Sequence, residues 1–351
     1  MFSNYRVLFQ RSVAFLGILN NSILALLILY KSPKKLGYYK YLMMYISIFE
    51  IIYSLLDFST VPEIFSKDSA FLIVIDKNST ILPDISLICA LVAFCSLFGM
   101  SMAIFAIHFV YRFLVITGST ILQKNHHRKV LGLISFTIYI GIIWSIFSFN
   151  FLRSNEFAEE VLNQEYLKSR HLHLTEVNYM GPLFLFPTEN GKYVPNFDAF
   201  VTIAFMTVLI GLSFITVFYC GYGIYKKMKS MTMLRSSGID RSLQSQLFWA
   251  LVFQTMIPVV LMHIPASFGF VFSMFGISKE LFGELPTITI FIYPALDPLP
   301  SFFIIKNFRL AILDFFGCGK KKSSPTSSNE SNPNKRESLE MQQRPYVIEA
   351  N

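Results

Sequence analysis

The sequence predicts an all-α membrane protein, built as a bundle of seven transmembrane helices with a short amphipathic helix after the seventh. Three observations support this fold class. The 351 residues are 53% hydrophobic and only 15% charged, whereas soluble domains carry about 25% charged residues. Seven apolar segments reach the length of about 20 residues that crosses a bilayer as a helix. The loops between these segments alternate between basic and acidic.

Each predicted span is a nearly uninterrupted apolar run. The seven spans cover residues 12–30, 41–62, 87–111, 130–152, 198–225, 245–273 and 286–305. The first run lacks a cleavage site, so we expect it to serve as signal and anchor. Residues 310–316 have the pattern of an amphipathic helix lying on the inner leaflet. Residues 1–316 thus form one predicted domain, and the polar stretch 317–351 is predicted to be a disordered cytoplasmic tail.

Loop charges predict the orientation of the bundle. Three loops are basic and contain a single acid, Asp240: 31–40, 112–129 and 226–241. The loops at the opposite end are acidic, among them 63–86 and 151–197. By the positive-inside rule the basic loops are cytoplasmic and the amino terminus is extracellular. Arg6 and Arg11 favour the opposite orientation and are outnumbered.

Two positions are candidates for covalent modification. The sequon Asn78-Ser79-Thr80 falls in a predicted extracellular loop, which makes Asn78 a glycosylation candidate, although such triplets also occur by chance. Cys318 precedes a run of three lysines, and palmitoylation there would supply a second membrane anchor. A free cytosolic thiol is the alternative for Cys318.

The first, second and seventh spans each place polar side chains about 14 Å from the cytoplasmic boundary, at 1.5 Å per residue. These are Asn20 and Asn21, Glu50, and Asp297. Polar groups at that depth are expected to converge inside the bundle, where they bind each other, water or a cation. Glu50 and Asp297 are candidates to share a proton or a sodium ion. An activation switch and a static link between helices both stay open as the role of this layer.

Prolines interrupt the sixth and seventh spans. Proline removes a backbone donor and favours a kink, so we predict hinges at Pro258 and Pro298. His263 lies just beyond the first hinge, either as a ligand contact or as a hydrogen-bonded packing residue. Asp57, two turns beyond Glu50, is expected to face water near the outer rim rather than a ligand cavity.

Enzyme motifs are absent from the sequence. It contains no glycine-rich phosphate loop, no zinc-ligand spacing and no convincing nucleophile set. We therefore predict no catalysis, no cofactor and no metal. The net charge of +8 resides mostly in loops at one membrane face, so we predict the lipid bilayer rather than nucleic acid as its partner.

Four stretches resemble the Str-type serpentine chemoreceptors of nematodes. They are Leu36–Met43 with Ile48–Ile51, His108–Phe113, Gln246–Leu251 with Gln254–Pro258, and Tyr293–Arg309, which contains Pro-Ala-Leu-Asp-Pro-Leu-Pro. The resemblance implies a G-protein-coupled chemoreceptor, multi-pass in the plasma membrane of sensory cilia. It implies a small-molecule ligand in the outer half of the bundle and a heterotrimeric G protein inside.

The sequence also departs from the better-studied rhodopsin-like receptors. Tyr111-Arg112-Phe113 replaces their acid-Arg-Tyr triplet, so the local acid–arginine lock is missing. Residues 153–197 contain no cysteine to bridge the third helix. Asp297-Pro298 replaces their Asn-Pro motif.

The resemblance and the depth of each residue nominate two sets of site residues. Those predicted to contact ligand lie in the outer half of their helices: Phe94, Phe98, His263, Phe268 and Thr287. Those predicted to face the G protein lie at the cytoplasmic end: Tyr111, Arg112, Lys226, Lys227 and Lys229.

Two other functions compete with the receptor. A transporter would use Glu50 and Asp297 as a cation or proton site, but the seven segments show no inverted repeat. A ligand-gated cation channel resembling the insect odorant receptors would require the amino terminus inside the cell.

Overall fold

The computed structural model describes residues 2–122, 125–153, 155–187, 192–233 and 238–317. Within them, seven helices are long and apolar enough to cross a membrane, which confirms the predicted bundle. The first four are α1 (Phe2–Lys31), α2 (Tyr39–Thr60), α3 (Asp84–Thr117) and α4 (His126–Phe151). Three of them, α1, α3 and α4, are longer than the apolar runs that predicted them, because helices extend past the hydrocarbon layer into the loops; α2 has the predicted length of 22 residues, two positions earlier in the chain.

The loops at one end of the bundle fold into strands, which are not among the predicted elements. β1 (Glu63–Lys67) and β2 (Ala70–Asp76) form a hairpin between α2 and α3. After α4 come the short helices α5 (Glu156–Val161) and α6 (Lys168–Arg170), which flank the π-helical segment Leu162–Leu167. β3 (Val177–Met180) then pairs antiparallel with β2, and β4 (Leu185–Pro187) pairs with β5 (Tyr193–Pro195). We call this the sheet end.

The hairpin is buried on both faces, which explains its almost continuous apolar sequence. One face packs on the helices of the bundle. The other face packs under the segment after α4, where Phe65 and Leu72 meet Leu162 and Tyr166. Asp68 takes a left-handed conformation (φ 47°) at the turn, a conformation that Asn and Asp tolerate better than most residues.

Of the remaining spans, the sixth and seventh are interrupted at the predicted prolines. The fifth span lies in α7 (Phe197–Met233), and the sixth comprises α8 (Gly238–Pro258), a π turn (Val259–His263) and α9 (Ile264–Met274). The seventh comprises α10 (Leu281–Leu296) and α11 (Leu299–Ile304). Proline lacks the N–H that an α-helix needs four residues after each carbonyl, so both breaks fall beside Pro258 and Pro298. We call the end of the bundle that carries loops 31–40 and 112–129 the basic end.

The amphipathic helix predicted after the seventh span is α12 (Lys306–Phe315), which begins four residues earlier than expected. Phe308 on its first turns is fully buried against the bundle. The chain divides into two units at Ile312 and Leu313, within this helix. The predicted tail, including Cys318, lies outside the described residues, so its disorder and palmitoylation stay predictions.

The third span lies at the centre of the bundle. It packs against the second, fourth, fifth and sixth spans, while the first span packs against the second and seventh. In the most apolar window of α3, 56% of residues are buried, against 17% in α7. The fifth helix therefore turns most of its surface outward, and large apolar side chains on it are exposed, as lipid contact requires.

Candidate functional site

An apolar cavity of about 130 Å³ lies between the third to seventh spans, near the sheet end. Aromatic and aliphatic side chains make up most of its lining. The third and fourth spans contribute Phe94, Cys95, Phe98, Trp144 and Ser148, and the fifth to seventh spans contribute Ile203, Met206, Ile210, His263, Phe270 and Ile290. Among the described lining residues there is no acid, lysine or arginine. The cavity therefore suits an uncharged ligand.

His263 is the main polar group in the cavity. Its Nε2 lies 3.0 Å from Ser101 Oγ, and its ring lies 4.9 Å from that of Phe98 and 6.1 Å from that of Phe214. The residue ends the π turn that follows Pro258, so its position depends directly on the break in the sixth helix. The side chain is hydrogen-bonded, as one of the two expectations has it, and it lines the cavity; its role as a ligand contact stays a prediction.

The sheet forms a roof over the cavity. Ile64, Phe71 and Ile73 project from β1 and β2 into its lining. Ser66 Oγ lies 2.6 Å from Ser278 Oγ and 3.2 Å from Ser273 Oγ, which ties the hairpin to the end of the sixth helix. These bonds close the cavity on the side of the loops.

The five predicted ligand contacts fall into two groups. Phe94, Phe98 and His263 line the cavity. Phe268 is 53% exposed and points away from it. The π turn contains an extra residue, which rotates the side chains after it by about 100° relative to an uninterrupted α-helix. A helical wheel drawn from the sequence alone therefore misplaces Phe268.

Thr287 is buried but lies outside the cavity. Its Oγ1 accepts a hydrogen bond from the backbone N–H of Ile64 at 2.8 Å and thereby fixes the hairpin on the seventh span. Ile290, about one turn deeper, occupies the cavity wall instead. The structure thus places Thr287 as a support of the roof.

The predicted polar layer comes together in the bundle interior. Asn20 Nδ2 donates to the Ala295 carbonyl at 2.8 Å, and Asn21 Nδ2 donates to the Pro294 carbonyl at 2.9 Å. Pro298 has no N–H to donate to the carbonyl four residues before it, which is that of Pro294. The Asn21 amide therefore supplies the hydrogen bond that the proline removes from the seventh helix.

The two carboxylates of the layer are almost completely buried, at 1% exposure each. Asp297 Oδ2 accepts from Gln254 Nε2 at 3.2 Å, and Gln254 Oε1 in turn accepts from Ser301 Oγ at 3.3 Å. Neither oxygen of Glu50 has a hydrogen-bond partner among the described residues. Gln254 thus links the sixth and seventh helices at the level of the layer.

Asp57 corrects one expectation. The side chain is 1% exposed rather than facing water, and neither of its carboxylate oxygens has a partner within the described chain. The hairpin that begins at Glu63 follows directly after the end of the second helix, and it was not among the elements predicted from the sequence. Asp57 therefore belongs to the buried interior.

At the basic end, Arg112 joins the third span to the sixth. Its Nη2 donates to the Gln244 backbone carbonyl at 2.9 Å, and its guanidinium lies 5.3 Å from the Tyr39 ring centroid. The Tyr39 hydroxyl lies 3.3 Å from His108 Nδ1, and its ring stacks on Tyr111. Arg112 is only 2% exposed, so in this conformation it is held inside the bundle.

The other residues predicted to face a G protein are placed differently. Tyr111 is buried, yet it lines a cavity of about 200 Å³ at the basic end together with Arg112. Lys226, Lys227 and Lys229 are exposed near the end of α7. The structure therefore offers an exposed basic surface beside a buried arginine.

The sheet end carries a separate charged network. Glu63 forms an ion pair with Arg6, and it accepts hydrogen bonds from the Tyr166 hydroxyl and from Arg170 Nη2, the latter at 2.6 Å. Burial raises the pKa of Tyr166. Arg6 counts against the predicted orientation, and in the structure its charge is paired with that of Glu63.

Asn78 is exposed at the sheet end, in the turn after β2. Its amide donates to Glu176 at 3.4 Å. The backbone N–H of His173 and this amide hold the pKa of Glu176 below its ordinary value. The position is accessible, and its glycosylation stays a prediction.

Several residues of the site were not predicted from the sequence. Trp144 is one of two tryptophans in the chain, and Gly99 allows it to approach α3, because a Cβ at Gly99 would overlap the indole. The cavity residues of the fifth span could not be singled out from the sequence, because every turn of that helix is apolar.

The bundle, its roof and its apolar cavity define a seven-helix membrane receptor fold. Squid rhodopsin has a similar structure, with a TM-score of 0.61 over 89% of this chain and 85% of that chain, at 14% sequence identity. That likeness concerns the fold alone.

Sequence comparison defines the family. The family model described as Serpentine type 7TM GPCR chemoreceptor Str matches residues 6–313, and the chain belongs to this family. Similar proteins include G-protein coupled receptor str-217 of Caenorhabditis elegans, 34% identical over 88% of this chain and 90% of that protein. Serpentine receptor class r-10 of the same organism is 30% identical, covering 86% and 88%. The chain is thus a multi-pass membrane protein of a chemoreceptor family whose members are not enzymes.

Proposed function

We propose that this receptor binds a small uncharged molecule in the apolar cavity and activates a heterotrimeric G protein at the basic end. The observation that carries the proposal is the apolar cavity, with Phe94, Phe98 and His263 in its wall. In this proposal the sheet end is extracellular, and the receptor resides in the plasma membrane, in the cilium of a chemosensory neuron.

The size of the cavity supports a ligand of about benzene size. An apolar cavity of about 150 Å³ in another protein binds benzene, and this one measures about 130 Å³. The ligand would bury its surface against aromatic and aliphatic side chains. One hydrogen bond to His263 or Ser148 would orient it, as few polar groups usually do in such pockets.

The sixth helix supports a route from the cavity to the basic end. It holds His263 in the cavity wall, Gln254 beside Asp297, and Gln244, whose carbonyl binds Arg112. A ligand that moves His263 shifts the helix on the Pro258 side of the π turn. Motion there rearranges the polar layer and pulls Gln244 away from Arg112.

The free energy of the Arg112–Gln244 hydrogen bond is small enough for ligand binding to offset it. A hydrogen bond from a charged donor contributes about 1.5–3 kcal/mol. A ligand that prefers the open state by about 10–100-fold offsets that contribution, because 1.4 kcal/mol corresponds to a factor of ten. Arg112, once released, faces the G protein together with Lys226, Lys227 and Lys229.

The test is ligand-dependent G-protein activation in cells that express the chain with a broadly coupling G protein. A panel of volatile and membrane-soluble metabolites is screened, and a response counts if charge reversal of Lys226, Lys227 and Lys229 to Glu lowers it at least fivefold. The control reverses Lys168 and Lys279, two exposed lysines at the sheet end. Substrate flux without G-protein activation, abolished by Asp297→Asn, would instead support a transporter.

A further inference from the structure

Two exposed residues, one on the fifth helix and one on the sixth, line the apolar cavity. Of its lining residues, Thr207 and Ser267 alone among those described have exposed side chains; all the others are buried or half-buried. Thr207 belongs to α7 and Ser267 to α9. The exposed part of the lining therefore comes from these two helices, and we call the position between Thr207 and Ser267 the side opening.

The opening lies at the depth of the hydrocarbon layer. Ser267 is seven residues from the sheet-end terminus of α9 and Thr207 ten residues from that of α7, which corresponds to about 10 and 15 Å. The neighbouring outward side chains are large and apolar, among them Val208, Phe268 and Val271. The opening therefore faces lipid.

By contrast, the roof closes the cavity toward the water at the sheet end. The roof residues Ile64 and Phe71 are buried. The Phe71 N–H donates to the Pro182 carbonyl at 3.0 Å, and Ser273 Oγ donates to the Ala70 carbonyl at 3.1 Å. Entry through the roof would break several of these bonds together, whereas at the side Thr207 and Ser267 are exposed and the lining residue Phe270 is only half-buried.

We propose that the cavity takes its ligand sideways from the bilayer, through the opening between Thr207 and Ser267, and that it therefore selects uncharged molecules that partition into lipid. This inference rests on the proposed function for the identity of the cavity as the ligand site. Ligand concentration at the site would follow the membrane and not the surrounding water.

The two tryptophans of the chain make the route measurable without a known ligand. Trp144 lines the cavity and is 6% exposed, so the Trp249→Phe variant leaves one reporter inside the cavity. The protein is reconstituted in lipid nanodiscs. Iodobenzene, which dissolves in the bilayer, and the iodide ion, which stays in water, serve as quenchers in stopped-flow fluorescence.

We expect iodobenzene to quench Trp144 and iodide not to. The double variant Thr207→Phe, Ser267→Phe should slow the onset of quenching at least tenfold. Val208→Phe with Val271→Phe, on the outward faces of the same helices, should leave the rate unchanged. Phe270→Ala should accelerate onset and tests the same opening if the double variant does not fold.

A disulfide across the roof, Ser66→Cys with Ser278→Cys, separates the two routes. The rate should not change when this bond forms, since the roof is not the entrance. A slower onset with the disulfide, an unchanged rate in both opening variants, or no quenching by iodobenzene would each overturn the proposal. The assay contains no G protein, so quenching as expected without any signalling response would refute the proposed function and leave the entry route standing.

Discussion

At the scale of single residues, the seventh helix depends on a hydrogen bond from another helix. Pro298 leaves the Pro294 carbonyl without its helical donor, and Asn21 donates to that carbonyl at 2.9 Å. An unsatisfied buried carbonyl costs about 1–3 kcal/mol. The pair Asn21 and Pro298 should therefore be energetically coupled although they lie on different spans.

A double-mutant cycle tests this coupling. Asn21→Ala should lower the free energy of unfolding by about 1–3 kcal/mol. In a Pro298→Ala background, where the helix supplies its own donor, the same change should cost about 1 kcal/mol less. Asn150→Ala, which removes an exposed amide bound to its own helix, is the control. Thermal unfolding in detergent is measured for the four proteins of the cycle and for the control. An equal loss of stability on Asn21→Ala in both backgrounds would contradict this role of Asn21.

The ring of Tyr39 lies against the guanidinium of Arg112. The Tyr39 hydroxyl contacts His108, which holds the ring in this position. Tyr39→Leu should loosen Arg112 from Gln244 and raise ligand-free G-protein activation several-fold, because the state that the bond stabilises is the closed one. Tyr41→Leu changes a half-exposed tyrosine two residues away and should leave basal activity unchanged. Basal second-messenger levels at matched surface expression provide the measurement. A silent Tyr39→Leu would argue against Arg112 as a lock.

At the scale of elements, the roof depends on close backbone packing between β2 and the residues after β3. Gly181 has φ 153°, and a Cβ there would overlap the Phe71 carbonyl oxygen and approach the Leu72 Cα to 2.9 Å. Neither contact is with a flexible side chain, so the strands would have to separate.

Gly181→Ala should therefore destabilise the roof by about 2 kcal/mol or more. Hydrogen exchange of peptides from residues 63–76 should accelerate, while exchange in α4 should not. Gly211→Ala, in a helix with nothing within 4 Å of the new methyl group, should be neutral or stabilise by up to about 1 kcal/mol. Unchanged protection of the hairpin in Gly181→Ala would mean that the roof is looser than the structure indicates.

The sixth helix shows how far the sequence determines the site. Pro258 predicted a break, and a break occurs there. The π turn after it was not predictable, because the extra residue depends on packing against the third and seventh helices rather than on local pattern. His263 lies within that turn and kept its predicted place, whereas Phe268 lies beyond it and did not.

At the scale of the whole molecule, hydropathy was sufficient for the seven spans, since length and apolar character alone decide whether a helix crosses a bilayer. The depth of each residue, counted along its helix, predicted that Asn20, Asn21, Glu50 and Asp297 lie at one level, because helices in a bundle run nearly parallel. The strands were not predicted, because the charges of a loop indicate its side of the membrane and not its secondary structure. Asp57 was misplaced as a result, since its burial depends on the hairpin.

The orientation of the bundle is a testable property of the whole chain. An epitope tag at the amino terminus should stain intact cells, because the basic loops favour the cytoplasm. Asn78→Gln should remove a mass shift sensitive to glycosidase, whereas the nearby Asn155→Gln, which lies in no sequon, should not. Staining only after permeabilisation would reverse the topology and support the channel alternative.

The central claim is that a small molecule in the apolar cavity drives signalling, and two phenylalanines, one inside the bundle and one on its surface, test it most directly. Phe98 lines the cavity and Phe268 faces outward. Dose–response curves of G-protein activation are recorded for an agonist from the screen, at matched surface expression. Phe98→Ala should raise the half-maximal concentration about 10–100-fold, the equivalent of about 1.5–3 kcal/mol of buried aromatic contact, and Phe268→Ala should change it less than twofold. Equal sensitivity to the two changes, or a larger effect of Phe268→Ala, would contradict the assignment of this cavity as the ligand site.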